Sequence, residues 1–279
     1  MCIAAFVWQD HPFYPFLLLL NRDEYHSRAT KAVGWWEDDD DDGDGEMEIL
    51  GGRDEVAGGT WLACTPRRGG RIAFVTNVRE LPQLPLAKSR GHLPVRFLQS
   101  TVKPLEFAKE LENELDQYGA FNLIVADITS KSMLYITNRP KEGNSFVTEV
   151  SPGMHILSNA SLDTPWPKAQ RLAHSLKNLL DRCDGAELPI TEMAEEIMTN
   201  TIKDDESKLP QIYPAKFEYQ LSSIFVDTDS PLGRYGTRST SVLSVNTRGE
   251  INFYERYLDK EEWRQHQMTS QIKDTNQTE

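Results

Sequence analysis

Residues 2–9 and 16–20 are apolar on both faces, and this limits the fold more than any other feature of the chain. Strand alternation puts Cys2, Ala4, Phe6 and Trp8 on one side and Ile3, Ala5 and Val7 on the other. A strand wetted on one face alternates apolar with polar residues, so a strand apolar on both faces is covered on both. Between the two runs, His11-Pro12-Phe13-Tyr14-Pro15 reads as a turn. A hairpin centred near residue 13 sets Ile3 near Asp23 and Cys2 near Glu24, which brings Asn21-Arg22-Asp23-Glu24 beside the start of the chain.

A second hairpin is read at Thr60–Cys64 and Arg71–Asn77 around Pro66-Arg67-Arg68-Gly69-Gly70. Its centre near residue 68 places Gly59 opposite Asn77. Strand pairs are also expected at 121–129 with 133–137 and at Ser239–Val245 with Ile251–Leu258, and a short strand at 154–160. Helical spacing marks Pro94–Ser100, Pro104–Leu115, the segment from Pro167 to about Leu180, and 190–200. The stretch 201–222 reads as polar and irregular. Antiparallel hairpins at both ends with helices between them give an α+β chain of stacked sheets with helices outside. A single domain is expected over 1–257, with a polar, disordered tail over 258–279.

Charge excludes some partners. Nine acids and no base lie between residues 37 and 48, so the rest of the chain carries only −4 of the net −13. That run reads as a disordered, solvated loop, and the net charge of −13 argues against nucleic acid and anionic membrane as main partners. Cys2, Cys64 and Cys183 are odd in number and far apart, which suits a reducing compartment, the cytosol, rather than a disulfide framework. No secretory signal, transit peptide or lipidation motif is read, and the apolar run Phe16–Leu20 is far short of a membrane span. His26, His92, His155 and His174 lack metal-ligand spacing.

Cys2 carries the sharpest chemical reading. Removal of Met1 would give this residue a thiol and a free α-amino group. A nucleophile whose own amine serves as base is a known catalytic arrangement; the two groups titrate near ~8.5 and ~8. The plainer reading is a small hydrophobe at a strand start.

Taken in order, the motifs MC at the start, NRDE at 21–24, GGTWL at 58–62, TN at 76–77, SRGHL at 89–93, FNLIVAD at 121–127, LSNA at 157–160, DTPWPK at 163–168 and YGTRS at 235–239 resemble the NRDE-motif family, also called transport and Golgi organisation protein 2. That family is in turn similar to N-terminal-nucleophile hydrolases, which implies a four-layer αββα sandwich of two stacked antiparallel sheets. The site pattern of the choloylglycine hydrolase and penicillin acylase group, carried over position by position, implies Cys2, Arg22, Asp23, Asn77, Asn159 and Arg238. Cys2 would attack a carbonyl and Asp23 would orient its ammonium. Arg22 would lower the thiol pKa, and Asn77 would donate to an oxyanion. Asn159 would fix the amine or a substrate amide, and Arg238 would anchor Asp23 or a substrate carboxylate. Asn21, Glu24, Thr60 and Trp61 would join Arg22 and Arg238 in binding a ligand. Each residue alone also has an ordinary explanation as a cap, turn or surface residue.

The resemblance implies a role in Golgi organisation and secretion. It also implies handling of haem or of acyl-CoA and lipid metabolites, with cytosolic, Golgi or mitochondrial association. Three functions follow. The first is binding and trafficking of a small hydrophobic metabolite in a former hydrolase pocket, with haem as cargo and no cofactor required. The second is an N-terminal cysteine amidohydrolase cleaving a small linear amide. The third is an interaction protein using the acidic loop.

Overall fold

The opening hairpin forms in a register two residues from the expected one. In the computed structural model, which describes residues 2–36, 49–81, 87–183 and 187–273, β1 (Ile3–Trp8) pairs antiparallel with β2 (Phe16–Tyr25). The ladder runs from Ile3↔Asn21 to Trp8↔Phe16, so Ile3 meets Asn21 and not Asp23. Gln9 takes a φ of 49°, and its N–H donates to the Pro15 carbonyl at 2.9 Å, which centres the turn on Pro12. A slip of two leaves every side chain on its expected face. One step beyond Ile3↔Asn21, Cys2 falls beside Arg22.

These strands lie within a seven-stranded antiparallel sheet. Its order is β10 (Gly153–Leu157), β1, β2, β12 (Gly233–Val245), β13 (Glu250–Asp259) and β14 (Glu262–Gln271), with β11 (Asp227–Ser230) also on β12. The second sheet follows chain order: β3 (Thr30–Trp35), β4 (Leu50–Asp54), β5 (Leu62–Thr65), β6 (Arg71–Asn77), β7 (Phe121–Asp127), β8 (Ser132–Thr137) and β9 (Val147–Glu149). The β5–β6 ladder, Leu62↔Phe74 to Thr65↔Arg71, has the register expected from a turn centred on residue 68.

Three apolar layers explain the doubly apolar strands. Ala4, Phe6 and Trp8 of β1 and Phe16, Leu18 and Leu20 of β2 face the second sheet, where they share a core with Ile72, Phe74 and Ile124. The Phe6 and Phe74 rings meet edge to face with centroids 5.6 Å apart. Burial of one such ring contributes about 1.5–3 kcal/mol. The opposite side chains, Ile3, Ala5, Val7, Leu17 and Leu19, pack on Leu172, Leu176 and Leu179 of α3 (Pro167–Arg182). On the outside of the second sheet, Ala73, Val75, Leu123 and Val125 pack against Leu93 and Phe97 of α1 (His92–Gln99) and Phe107 and Leu111 of α2 (Pro104–Leu111). The order helix, sheet, sheet, helix is the αββα sandwich that was expected. α2 and α3 both begin on proline, whose fixed φ suits the first helical position and whose missing N–H costs nothing there.

Two expectations need correction. The segment after residue 258 is not a disordered tail through its length: β14 pairs with β13 from Asp259↔Glu262 to Glu250↔Gln271. β14 is polar and lies at a sheet edge, so its ladder, more than side-chain burial, holds it in place. The 201–222 stretch contains a 3₁₀ turn at Glu206–Lys208 and a helix at Ala215–Gln220. The acidic run 37–48 and residues 274–279 lie outside the described residues.

Candidate functional site

Strand alternation divides the Asn21–Glu24 segment between two layers. Leu18 and Leu20 face the second sheet, so Arg22 and Glu24 follow them; Leu17 and Leu19 face α3, so Asn21 and Asp23 follow those. Asn21 is fully buried, and its amide donates to the carbonyls of Met198 at 2.8 Å and Ile224 at 3.0 Å. Its Oδ1 accepts from the Thr240 hydroxyl at 2.7 Å. Asn21 therefore ties β2 to the helical layer and does not contact ligand space, a correction to its expected binding role.

Arg22 lies over the Trp61 ring, 4.1 Å from its centroid. With Cys2, Asp23, Glu24, Thr60, Trp61 and Asn77 it lines a cavity of about 700 Å³. Seven of the ten residues expected at the site thus share one space. Asn159 stands one step behind it. Its Nδ2 donates to the Asn77 backbone carbonyl at 3.0 Å and to Asn77 Oδ1 at 2.9 Å. That leaves Asn77 Nδ2 as the free end of an amide on the cavity wall, with no hydrogen-bond partner among the described residues. Arg238 is elsewhere. A bulge between Thr237 and Ser239 takes it out of the ladder, and Nη1 donates to the carbonyls of Tyr25, at 3.3 Å, and Arg28. It pins the turn after β2. Asp23 instead accepts from the Thr237 hydroxyl at 2.7 Å.

Burial governs protonation here. It pushes the Cys2 thiol above its ordinary value, although the charge of Arg22 acts in the opposite direction. The expected lowering by Arg22 is present but smaller, so Cys2 rests as a thiol. Burial also raises Asp23, against the pull of Lys168 and the Thr237 hydroxyl. Lys168, in the first turn of α3, is buried and held down to about 8, first by burial and next by Arg79. Its Nζ donates to the Leu221 carbonyl at 3.0 Å.

Several cavity residues had no assigned role in the sequence. Arg90 lines the cavity and donates to the Ala120 carbonyl at 3.1 Å; burial lowers its pKa. Tyr213 and Phe217 come from the stretch read as irregular, and Tyr25 and Tyr235 add aromatic surface. The neighbouring charges Arg28–Asp54, Arg139–Glu80 and Lys88–Glu114 are paired at 2.8, 2.6 and 3.5 Å. Arg22 and Arg90 have no carboxylate within ion-pair distance among the described residues. No histidine lines the cavity, and no cluster of three metal-ligating side chains exists among the described residues.

A family model described as Transport and Golgi organisation 2 matches residues 1–260. The chain belongs to that family. Its curated members include a mouse Transport and Golgi organization 2 homolog, 30% identical over 278 residues, covering 94% of this chain and 95% of that protein. A human homolog is 30% identical over 276 residues, with 94% and 95% covered. The Drosophila melanogaster Transport and Golgi organization protein 2 is 25% identical over 271 residues, with 91% of each covered. The family match takes in every cavity residue and ends just before β14.

Proposed function

We propose that the cavity binds an anionic metabolite with an apolar body, of the haem or acyl-CoA class, and that the protein carries it as cargo. The observation that supports this is Arg22, a buried guanidinium stacked on Trp61 and facing the cavity without a carboxylate partner among the described residues. Burying a cation without a carboxylate in direct contact is expensive, and a ligand anion offsets that cost. Arg90 offers a second cationic contact, and Trp61, Tyr213 and Phe217 supply apolar wall. Were haem the cargo, Cys2 or one of the tyrosines that line the cavity would be the residue to hold its iron, since no histidine lines it.

Titration of palmitoyl-CoA and haemin into wild type and Arg22→Ala tests the reading. A charge-assisted contact of about 1.5–3 kcal/mol predicts roughly 10- to 150-fold weaker binding in the variant. Equal affinities would overturn it. The names of the relatives support placing this carriage in transport and Golgi organisation; a cytosolic carrier that associates peripherally with Golgi or mitochondrial membranes is part of the proposal and has no support in those names. Among the described residues no helix is long and apolar enough to cross a membrane.

A second reading is favoured by the grouping of Cys2, Asp23 and Asn77 around one space. With Met1 removed, the Cys2 amine would take the thiol proton as the sulfur attacks an amide carbonyl and pass it to the departing amine as the C–N bond breaks, after which water would hydrolyse the thioester; Asp23 would hold the Cys2 amine, and Asn77 Nδ2 would donate to the oxyanion. Mass spectrometry of the intact protein checks the first requirement: retained Met1 excludes this mechanism. The acidic-loop reading falls on residues 37–48, outside the described residues.

A further inference from the structure

Glu255 is a carboxyl group inside the core between the two sheets. On β13, Ile251 and Phe253 face the second sheet, and Glu255 is the next residue on that side, with no exposed surface. Oε2 accepts from the Val33 N–H at 2.6 Å, whereas Oε1 has no hydrogen-bond partner among the described residues. Beside it lies a small cavity of about 20 Å³, lined in part by Arg22, Trp61, Arg238, Ser239 and Glu255. Among the described residues the Ser239 hydroxyl and Arg238 Nε are also buried without partners. The volume is that of one water, and three polar atoms meet the number a buried water needs. Arg22 and Trp61 line this cavity and the large one alike, so their stack is the partition between the two.

We propose that this small cavity is a water site and that Glu255, acting through it, is a positioning residue that sets the charge Arg22 presents to the ligand cavity. The groups facing Glu255 are Arg22 from β2, Lys31 from β3, Arg238 and Ser239 from β12, Tyr257 on its own strand, and His266 of β14, with Nε2 3.9 Å from Oε2. Burial raises the Glu255 carboxyl to about 7, against the Val33 N–H, the nearby Ser239 hydroxyl and Arg22. Burial lowers His266, so the carboxyl and not the imidazole changes charge near neutrality. Above that point an ionised Glu255 compensates Arg22 from behind. Below it the carboxyl is neutral and more of the Arg22 charge, still offset in part by Glu24 and Asp54 and opposed by Arg28, is available to an anion. Anion affinity therefore rises as pH falls through neutrality, and a bound anion raises the Glu255 pKa in return.

The functional consequence rests on the proposed anionic ligand, whereas the coupling of Glu255 to Arg22 does not, and two measurements separate them. The first follows the Glu255 carboxyl by ¹³C NMR, assigned by its absence in Glu255→Gln, in wild type and Arg22→Met. Removal of Arg22 moves the midpoint upward; an unmoved midpoint overturns the inference whatever binds. The second measures the affinity of the fixed-charge probe anilinonaphthalene sulfonate at about pH 6 and pH 8.5. Wild type should bind it roughly 5- to 10-fold tighter at the lower pH, and Glu255→Gln should hold the tight value at both. Gln keeps an acceptor for the Val33 N–H, so a merely structural role leaves the pH profile unchanged and also overturns the inference. Probe binding indifferent to Arg22→Ala, together with a shifted Glu255 midpoint, would sink the anion-carrier reading and leave the coupling standing.

Discussion

Glu218→Ala is expected to cost about 3–5 kcal/mol of stability, the range for stripping one partner from a buried ion pair. Glu218 sits in the helix Ala215–Gln220 with Oε1 3.4 Å from Arg79 Nη1, and neither side chain reaches solvent appreciably. The same carboxylate accepts three backbone N–H groups: Gln211 at 2.7 Å, Ile212 at 3.0 Å and Tyr213 at 3.0 Å. Alanine would leave these donors unpaired and deprive Arg79 of its carboxylate. Arg79 also lies 4.9 Å from the Trp166 ring centroid and 5.6 Å from that of Tyr213, so the cluster anchors the cavity wall formed by Tyr213 and Phe217. Glu218→Gln keeps one good acceptor and should lose less. Urea denaturation of the two variants beside wild type checks both values. A loss under about 0.5 kcal/mol in Glu218→Ala, the range of an ordinary surface change, would mean that the segment is held by other contacts.

The fold was legible where chemistry alternates along a strand and hidden where it does not. The two-sided apolar runs at Ile3–Trp8 and Phe16–Leu20 required cover on both faces, and the inter-sheet core and α3 provide it. Their register was out by two because a slip of two changes no facing pattern; only the turn geometry at Gln9 fixes it. β14 was illegible for two reasons. Its composition is polar, and its turn uses Lys260 at a φ of 59°, where sequences usually announce a hairpin with Gly or Asn. β4 was hidden by Gly51-Gly52, which propensity reads as loop. At Gly52 a Cβ would overlap the Trp61 ring, the ring that carries Arg22, so the glycine serves a close approach.

The site was legible as residues and less so as roles. Cys2, Arg22, Asp23 and Asn77 converge because β1 starts where β2 and β6 end, on one side of the sandwich. Asn21 and Arg238 do not join them, for reasons no local pattern records: alternation turns Asn21 toward Met198 and Ile224, and a bulge removes Arg238 from its strand ladder. Arg90 and Lys168 stood within quoted motifs, but their importance depends on burial beside the cavity and beside Asp23, which is a long-range property. Tyr213 reaches the cavity through Glu218, a contact made by a stretch whose polar composition suggested nothing more than a connection.

Gly59→Ala should open the cavity from its wall. Gly59 precedes Thr60, whose N–H donates to the Gly91 carbonyl at 2.9 Å, and this bond joins the Gly58–Leu62 segment to the start of α1. A Cβ on Gly59 would overlap the backbone of Gly91 itself, so no side-chain rotation can relieve it. Forced separation costs about 1–3 kcal/mol for overpacking, and loss of the hydrogen bond adds roughly 1 kcal/mol. It also moves Arg90, the neighbour of Gly91, away from Trp61 and the Arg22 stacked upon it. The two guanidiniums would then no longer flank one space, and palmitoyl-CoA affinity should fall along with stability. Gly58→Ala is the control. Gly58 has a φ of +73° and nothing within 4 Å of a new Cβ, so alanine there adds backbone strain but no collision. That variant should lose about 1 kcal/mol of stability and bind the probe as wild type does. Equal binding by both variants would show that the Thr60–Gly91 junction does not set the width of the cavity.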